Sequence, residues 1–168
     1  VLAVWPRLLF FLFFELGQTP FGLNPIVGSD ALTNEALYLL ATRVPEQHTV
    51  VVRNVREIRW DTTYPFPGNI FAHLSTGRVF VDKDRRGPFV FEATSDPAKW
   101  AGVLSHEANH LEMYNTCQVI YEKDAMTTEL HVLRILGVDP SWIALRESVA
   151  AGVASWGPYH NEPKEGCP

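Results

Sequence analysis

The chain has 168 residues, a length that suits one domain with a hydrophobic core of its own. Hydrophobic residues make up 46% of the sequence and charged residues 20%, a balance that excludes an intrinsically disordered protein. The net charge is −5 and no run of lysines and arginines occurs, which argues against a protein that binds nucleic acid.

Residues 1–28 are expected to form an apolar N-terminal segment followed by a linker. Positions 8–14 are an unbroken run of leucine and phenylalanine, shorter than the about 20 apolar residues that a membrane-spanning helix requires. Three interpretations stay open: the remnant of a signal or anchor, a buried core helix, and a helix on a membrane surface. An anchor or a surface helix would associate the protein with a membrane, and a signal would place it outside the cytoplasm.

Residues 29–168 are expected to form one domain. The sequence of its first half predicts both helices and strands. A helix is predicted from Ala31 to Arg43, because its apolar residues share one face. The β-branched run Thr49–Val52 predicts a strand, and the alternating polar and apolar residues of Arg78–Asp82 predict a second. Phe89–Phe91 predicts another short strand.

The second half predicts three helices, so the expected fold class is α+β. The first helix is capped by Ser95 or Asp96 and runs to about Asn115. The second runs from about Gln118 to Gly137, where glycine is a natural stop. The third runs from a cap at Ser141 to about residue 155.

The first of these helices carries the motif His106-Glu107-Ala108-Asn109-His110. His106 and His110 are four residues apart, so on a helix they project from the same face, where two imidazoles can supply two ligands of a tetrahedral zinc ion. Glu107 lies close to that face without aiming at the metal, which is the position of a general base for a water molecule. The alternative is a buried helix whose histidines are ordinary core residues.

A catalytic zinc ion needs a third protein ligand and one open position for water. If the second helix runs antiparallel to the motif helix, Glu122 and Glu129 both lie opposite the histidines, because they are seven residues apart and share one face. Asp124 and His131 are further candidates on the same helix. For Glu129, a surface ion pair with a neighbouring basic residue is an adequate alternative explanation.

The motif, followed by Glu-Lys-Asp-Ala at positions 122–125, resembles the gluzincin metallopeptidases, in particular the small minigluzincins. In that family the first Glu of a similar segment is the third ligand, and it maps onto Glu122. The sequence departs from the family at two points. Met126 stands where the family has an acid or amide that supports the ligands, and the spacing from His110 to Glu122 is short. The resemblance covers residues 76–137.

The resemblance implies a zincin-like metallopeptidase domain, in which a small, mostly antiparallel sheet packs on the motif helix and a glutamate helix. It implies a Zn²⁺ cofactor held by His106, His110 and Glu122, and cleavage of a peptide or protein substrate by a zinc-bound water with Glu107 as general base. It also implies that the strand Arg78–Asp82 is the sheet edge that aligns an extended peptide.

The family further implies a tyrosine or histidine that stabilises the oxyanion. Tyr114 on the motif helix and Tyr159 and His160 in the tail are candidates, although the tail residues suit an ordinary surface role equally well. Two other functions stay open: a zinc-binding module that binds or regulates without cleaving, and a structural domain in which the motif is accidental.

Cys117 and Cys167 are the two cysteines of the chain. They form no Cys-x-x-Cys pair, which argues against a thiolate zinc site. One disulfide between them and two free thiols are both compatible with the sequence, and an exported protein would favour the disulfide.

Overall fold

A computed structural model of the chain describes residues 26–61, 69–154, 157 and 167. The predictions for the apolar N-terminal segment lie outside these residues. The described part contains six helices and three strands, so the expected α+β class is confirmed. None of the helices in this part combines the length and apolar character that crossing a bilayer would require.

Two helices open the described chain. Helix α1 is Ala31–Arg43, as predicted, and the side chain of Asp30 caps it by accepting a hydrogen bond from the Thr33 backbone N–H at 2.8 Å. Helix α2 is Pro45–Asn54, so the strand predicted over Thr49–Val52 is wrong.

The reason for this difference is visible in the burial pattern of α2. His48, Val51, Val52 and the following Val55 are buried, which is the spacing of one helical face. Burial of that face against the motif helix outweighs the modest preference of β-branched residues for strands. His48 is therefore a core residue.

Three strands form one sheet: β1 is Glu57–Asp61, β2 is Ile70–His73 and β3 is Arg78–Asp82. Their order is β1-β3-β2, with β1 parallel and β2 antiparallel to β3. The sheet is mixed, so the expectation of a mostly antiparallel sheet is corrected. Arg78–Asp82 forms the central strand, and the prediction that it is the edge is wrong.

The edge beside the motif helix is β2 instead. The chain reverses tightly between β2 and β3, ending in Gly77 with φ +68°. This hairpin puts β2 on one side of β3, while β1 takes the other side by parallel pairing. The sequence placed a strand at β3 correctly but carried no information on which neighbours it would pair with.

Four more helices complete the fold: α3 is Pro88–Ala93, α4 is Pro97–Asn115, α5 is Glu122–Leu136 and α6 is Pro140–Val153. The short strand predicted over Phe89–Phe91 is therefore wrong, because α3 occupies these positions.

The ends of the later helices follow local signals. Asp96 caps α4 through the backbone N–H groups of Ala98 and Lys99, and Gly137 ends α5 in the left-handed conformation, both as expected. Helix α5 begins at Glu122, four residues after the predicted start. Helix α6 is capped by Asp139 instead of the predicted Ser141.

Helix α4 is the centre of the core, packed by α1, α2, α5 and the edge strand β2. Fully buried side chains such as Trp100, Leu104 and Leu111 lie on it, each contributing about 1.5–3 kcal/mol by leaving water. Its contact with α5 is closest at Gly102, where an added Cβ would lie 2.5 Å from Leu133 Cδ2. An alanine at this position would therefore force the fully buried Leu133 side chain or the two helices to move.

A disulfide joins Cys117, in the connection between α4 and α5, to Cys167 near the end of the chain. Of the two alternatives that the sequence allowed, the structure therefore has the bonded one. The bond ties the connection that precedes Glu122 to a residue 50 positions farther along the chain.

We expect Gly102→Ala to lower the free energy of unfolding by about 1–3 kcal/mol, because the new methyl group forces α4 and α5 apart. Gly152→Ala is the matched control, since Gly152 also lies in a helix but an added Cβ there meets nothing within 4 Å. That variant should be unchanged or stabilised by up to about 1 kcal/mol. Urea denaturation measures both, and equal stability of the two variants would contradict the close approach.

Candidate metal centre

The motif on α4 forms the floor of the site. His106, Glu107 and His110 are all buried, with 6%, 6% and 4% of their surface exposed. The two imidazole rings meet edge to face, and their Nε2 atoms lie 3.1 Å apart. The spacing of four residues therefore aims both nitrogens at one point, as the sequence predicted.

Glu122, the first residue of α5, closes the group from the facing helix. Its Oε1 lies 3.2 Å from His106 Nε2 and its Oε2 lies 3.1 Å from His110 Nε2. The short connection between α4 and α5 includes the buried Ile120, two residues before Glu122. The spacing from His110 to Glu122, although short, therefore places the Glu122 carboxylate beside both histidines.

The three side chains have the spacing of metal ligands. Donors about 2.0–2.1 Å from a tetrahedral ion stand roughly 3.3–3.4 Å from one another. Here the two Nε2 atoms lie 3.1 Å apart, and each lies 3.1–3.2 Å from one oxygen of Glu122, Oε1 for His106 and Oε2 for His110. These three residues could hold a metal ion.

Glu107 belongs to the same cavity but not to this donor group. Its carboxylate accepts a hydrogen bond from the backbone N–H of Ala72 on the edge strand β2. Burial raises the pKa of Glu107, although the neighbouring His106 and His110 oppose the change. Glu107 is therefore a buried carboxyl group held beside the donor group and not within it.

Glu129, the other ligand candidate from the sequence, has a different place. It is fully buried, and its Oε2 lies 3.1 Å from Nδ1 of His106, on the opposite side of that ring from Glu122. Arg146 of α6 donates from Nε to Oε1 at 2.5 Å and from Nη2 to Oε2 at 2.7 Å. The explanation of Glu129 as a surface ion pair is wrong.

Arg146 is the site residue that the sequence did not single out. It is 8% exposed, lies over the ring of Phe89 at 4.6 Å, and lines the cavity. On α6 it falls between Trp142 and Val149, at the four- and three-residue spacings of one helical face. A charged residue within an apolar stripe was the available signal.

The other candidates stand apart from the group. Asp124 and His131 are exposed on α5, and Tyr114 is half-buried and does not line the cavity. Tyr159 and His160 lie outside the described residues. No oxyanion-stabilising tyrosine or histidine is therefore assigned within the part of the chain that the structure describes.

The electrostatics of the cluster favour positive charge. Burial acts to lower the pKa of His106, but the carboxylates of Glu122 and Glu129 outweigh it and raise that pKa to about 10. Burial acts to raise the pKa of Glu122, but hydrogen bonds from His106 and His110 outweigh it and lower that pKa. Three carboxylates, those of residues 107, 122 and 129, line the cavity together with the guanidinium of Arg146, so neutral imidazoles would leave negative charge in excess.

A cavity of about 360 Å³ opens over the cluster. Its polar floor is the cluster itself, and most of its walls are apolar side chains. These walls come from the edge strand, from α3, from α4 and from α6: Ile70, Phe71, Phe89, Val103, Val149 and Val153. The donor group therefore faces a space that a ligand can enter.

Comparison of the chain with protein-family models, with curated proteins and with solved structures gives no match.

We expect the purified protein to bind one zinc ion, and His106→Ala, His110→Ala and Glu122→Ala each to lose it or weaken it at least tenfold, because each removes a ligand. His131→Ala is the control, since this histidine is exposed and outside the group. Elemental analysis and a chelator competition measure the metal. If all four variants bind zinc as the wild type does, these residues are not its ligands.

Proposed function

We propose that the protein is a zinc-dependent hydrolase that cleaves peptide bonds, with a gluzincin-type site in a zincin-like domain. One observation carries the proposal. The donor group of His106, His110 and Glu122 is accompanied by a separate buried carboxyl group, that of Glu107, which lines the same cavity. Three ligands with an adjacent proton acceptor are what metal-assisted hydrolysis requires.

Zinc is the metal that suits this group best. Two imidazole nitrogens and one carboxylate form a common ligand set for catalytic zinc, and they leave the fourth position open. The charge also fits, because the cavity cluster contains three carboxylates and one guanidinium. A divalent cation held by neutral imidazoles would compensate this negative charge, which would otherwise be costly to bury.

The reaction divides between the metal and the chain. A zinc ion, when bound, lowers the pKa of a water molecule and polarises the scissile carbonyl. Glu107 takes the proton of the attacking water and passes it to the leaving amine. The Ala72 N–H holds the Glu107 carboxylate in place, and burial raises its pKa, which favours proton uptake.

The substrate is a peptide or protein in an extended conformation. Strand β2 lies at the outer side of the sheet next to α4, and its residues Ile70 and Phe71 line the cavity. A strand at the side of a sheet can bind an extended peptide by backbone hydrogen bonds. The apolar walls of the cavity then accept a side chain next to the scissile bond.

A second candidate function is a zinc-binding module that does not cleave. Met126 favours it, because this buried residue stands where the gluzincin segment has an acid or amide. A zinc-loaded protein that cleaves no member of a diverse peptide library would support this function over the first.

We expect Glu107→Gln to keep zinc and fold but to lower the rate of peptide cleavage by about 10²–10⁴-fold, because an amide cannot accept the proton of the water. Glu147→Gln is the control, since Glu147 is exposed on α6 and pairs with Arg134. Cleavage of a quenched fluorescent peptide library by the zinc-loaded proteins measures the difference. A Glu107→Gln variant as active as the control would remove Glu107 from the role of general base.

A further inference from the structure

A buried ion pair joins Glu129 of α5 to Arg146 of α6 behind the donor group. Both oxygens of the fully buried carboxylate accept hydrogen bonds from the guanidinium, at 2.5 Å and 2.7 Å. Burying two charges is costly, and apolar side chains in their place often give equal or higher stability. Stability alone is therefore a poor explanation for this pair.

The same carboxylate lies beside Nδ1 of His106, the ring nitrogen that points away from the donor group. Glu129 Oε2 lies 3.1 Å from Nδ1, while Nε2 of the ring faces Glu122 and His110. Nδ1 is buried, and its 3.1 Å separation from Glu129 Oε2 is within hydrogen-bond distance. The described residues provide no other hydrogen-bond partner for this nitrogen.

The neighbouring positions on α5 offer no substitute for Glu129. Met126 lies one turn earlier on the same face, with its sulfur 3.4 Å from Arg146 Nη2. A thioether sulfur is a weak acceptor. Glu129 is therefore the strong acceptor that α5 presents to Nδ1 of His106.

We propose that Glu129, held by Arg146, is the positioning residue for the ligand His106. Glu129 accepts a hydrogen bond from Nδ1–H of His106. This keeps the proton on Nδ1, leaves the lone pair of Nε2 for the metal and fixes the direction of the ring. Arg146 in turn fixes the carboxylate through its two hydrogen bonds. This inference rests on the proposed metal site.

The test compares Glu129→Gln with wild type in the full chain. Gln has the same shape but lacks the charge, so we expect zinc affinity to fall by about 10–100-fold. Glu147→Gln is the matched control, because it breaks the exposed Arg134–Glu147 pair between the same two helices, at 2.6 Å, without touching His106. Its zinc affinity should equal that of wild type in a chelator competition.

A second measurement needs no variant. In the zinc-loaded wild type, nitrogen-15 NMR of the imidazoles should show His106 with a slowly exchanging proton on Nδ1 and with Nε2 bound to the metal. Zinc on Nδ1 would overturn the proposal.

The outcomes separate this inference from the proposed function. Equal zinc affinity in Glu129→Gln and wild type overturns the positioning role and leaves the metal site intact. A wild type that binds no zinc overturns both. A selective loss of affinity in Glu129→Gln supports the positioning role, even if the protein cleaves no peptide.

Discussion

Burying the motif of α4 removes two imidazoles and a carboxylate from water, and each then needs a partner inside the protein. Three of the elements around that side of α4 supply polar groups. The edge strand gives the N–H of Ala72, and α5 gives Glu122 in front and Glu129 behind. Helix α6 gives Arg146, which balances Glu129. The arrangement of the helices around α4 follows from this requirement as much as from apolar packing.

Local chemistry made part of the site predictable from the sequence. The spacing within residues 106–110, the Asp96 cap and the stop at Gly137 are each decided within a few residues, and the structure has all three. Glu122 was predicted as the third ligand by the family resemblance, whereas hairpin geometry left it nearly tied with Glu129. The structure places Glu122 in the donor group because α5 begins at that residue, which brings its carboxylate level with both Nε2 atoms.

Features decided by distant parts of the chain were not predictable. The burial of Glu129 depends on α6, which the sequence did not connect to the site, and Arg146 was missed for the same reason. Strand Arg78–Asp82 was predicted as a strand but given the wrong place in the sheet, because strand order depends on non-local pairing. The β-branched residues Thr49–Val52 predict a strand when taken alone. They form part of α2 because the buried face of that helix packs on α4, a contact that the local sequence does not reveal.

The close approach of α4 and α5 at Gly102 has a consequence for recognising related sequences. A Cβ at this position would lie 2.5 Å from Leu133 and in van der Waals contact, at 3.5 Å, with Cγ of Glu129, so the glycine leaves room for α5 at the level of Glu129. Gly102 precedes His106 by one helical turn. A pattern of Gly-x-x-x-His-Glu-x-x-His, followed by two glutamates seven residues apart, would therefore identify distant relatives on physical grounds more selectively than the five-residue motif alone.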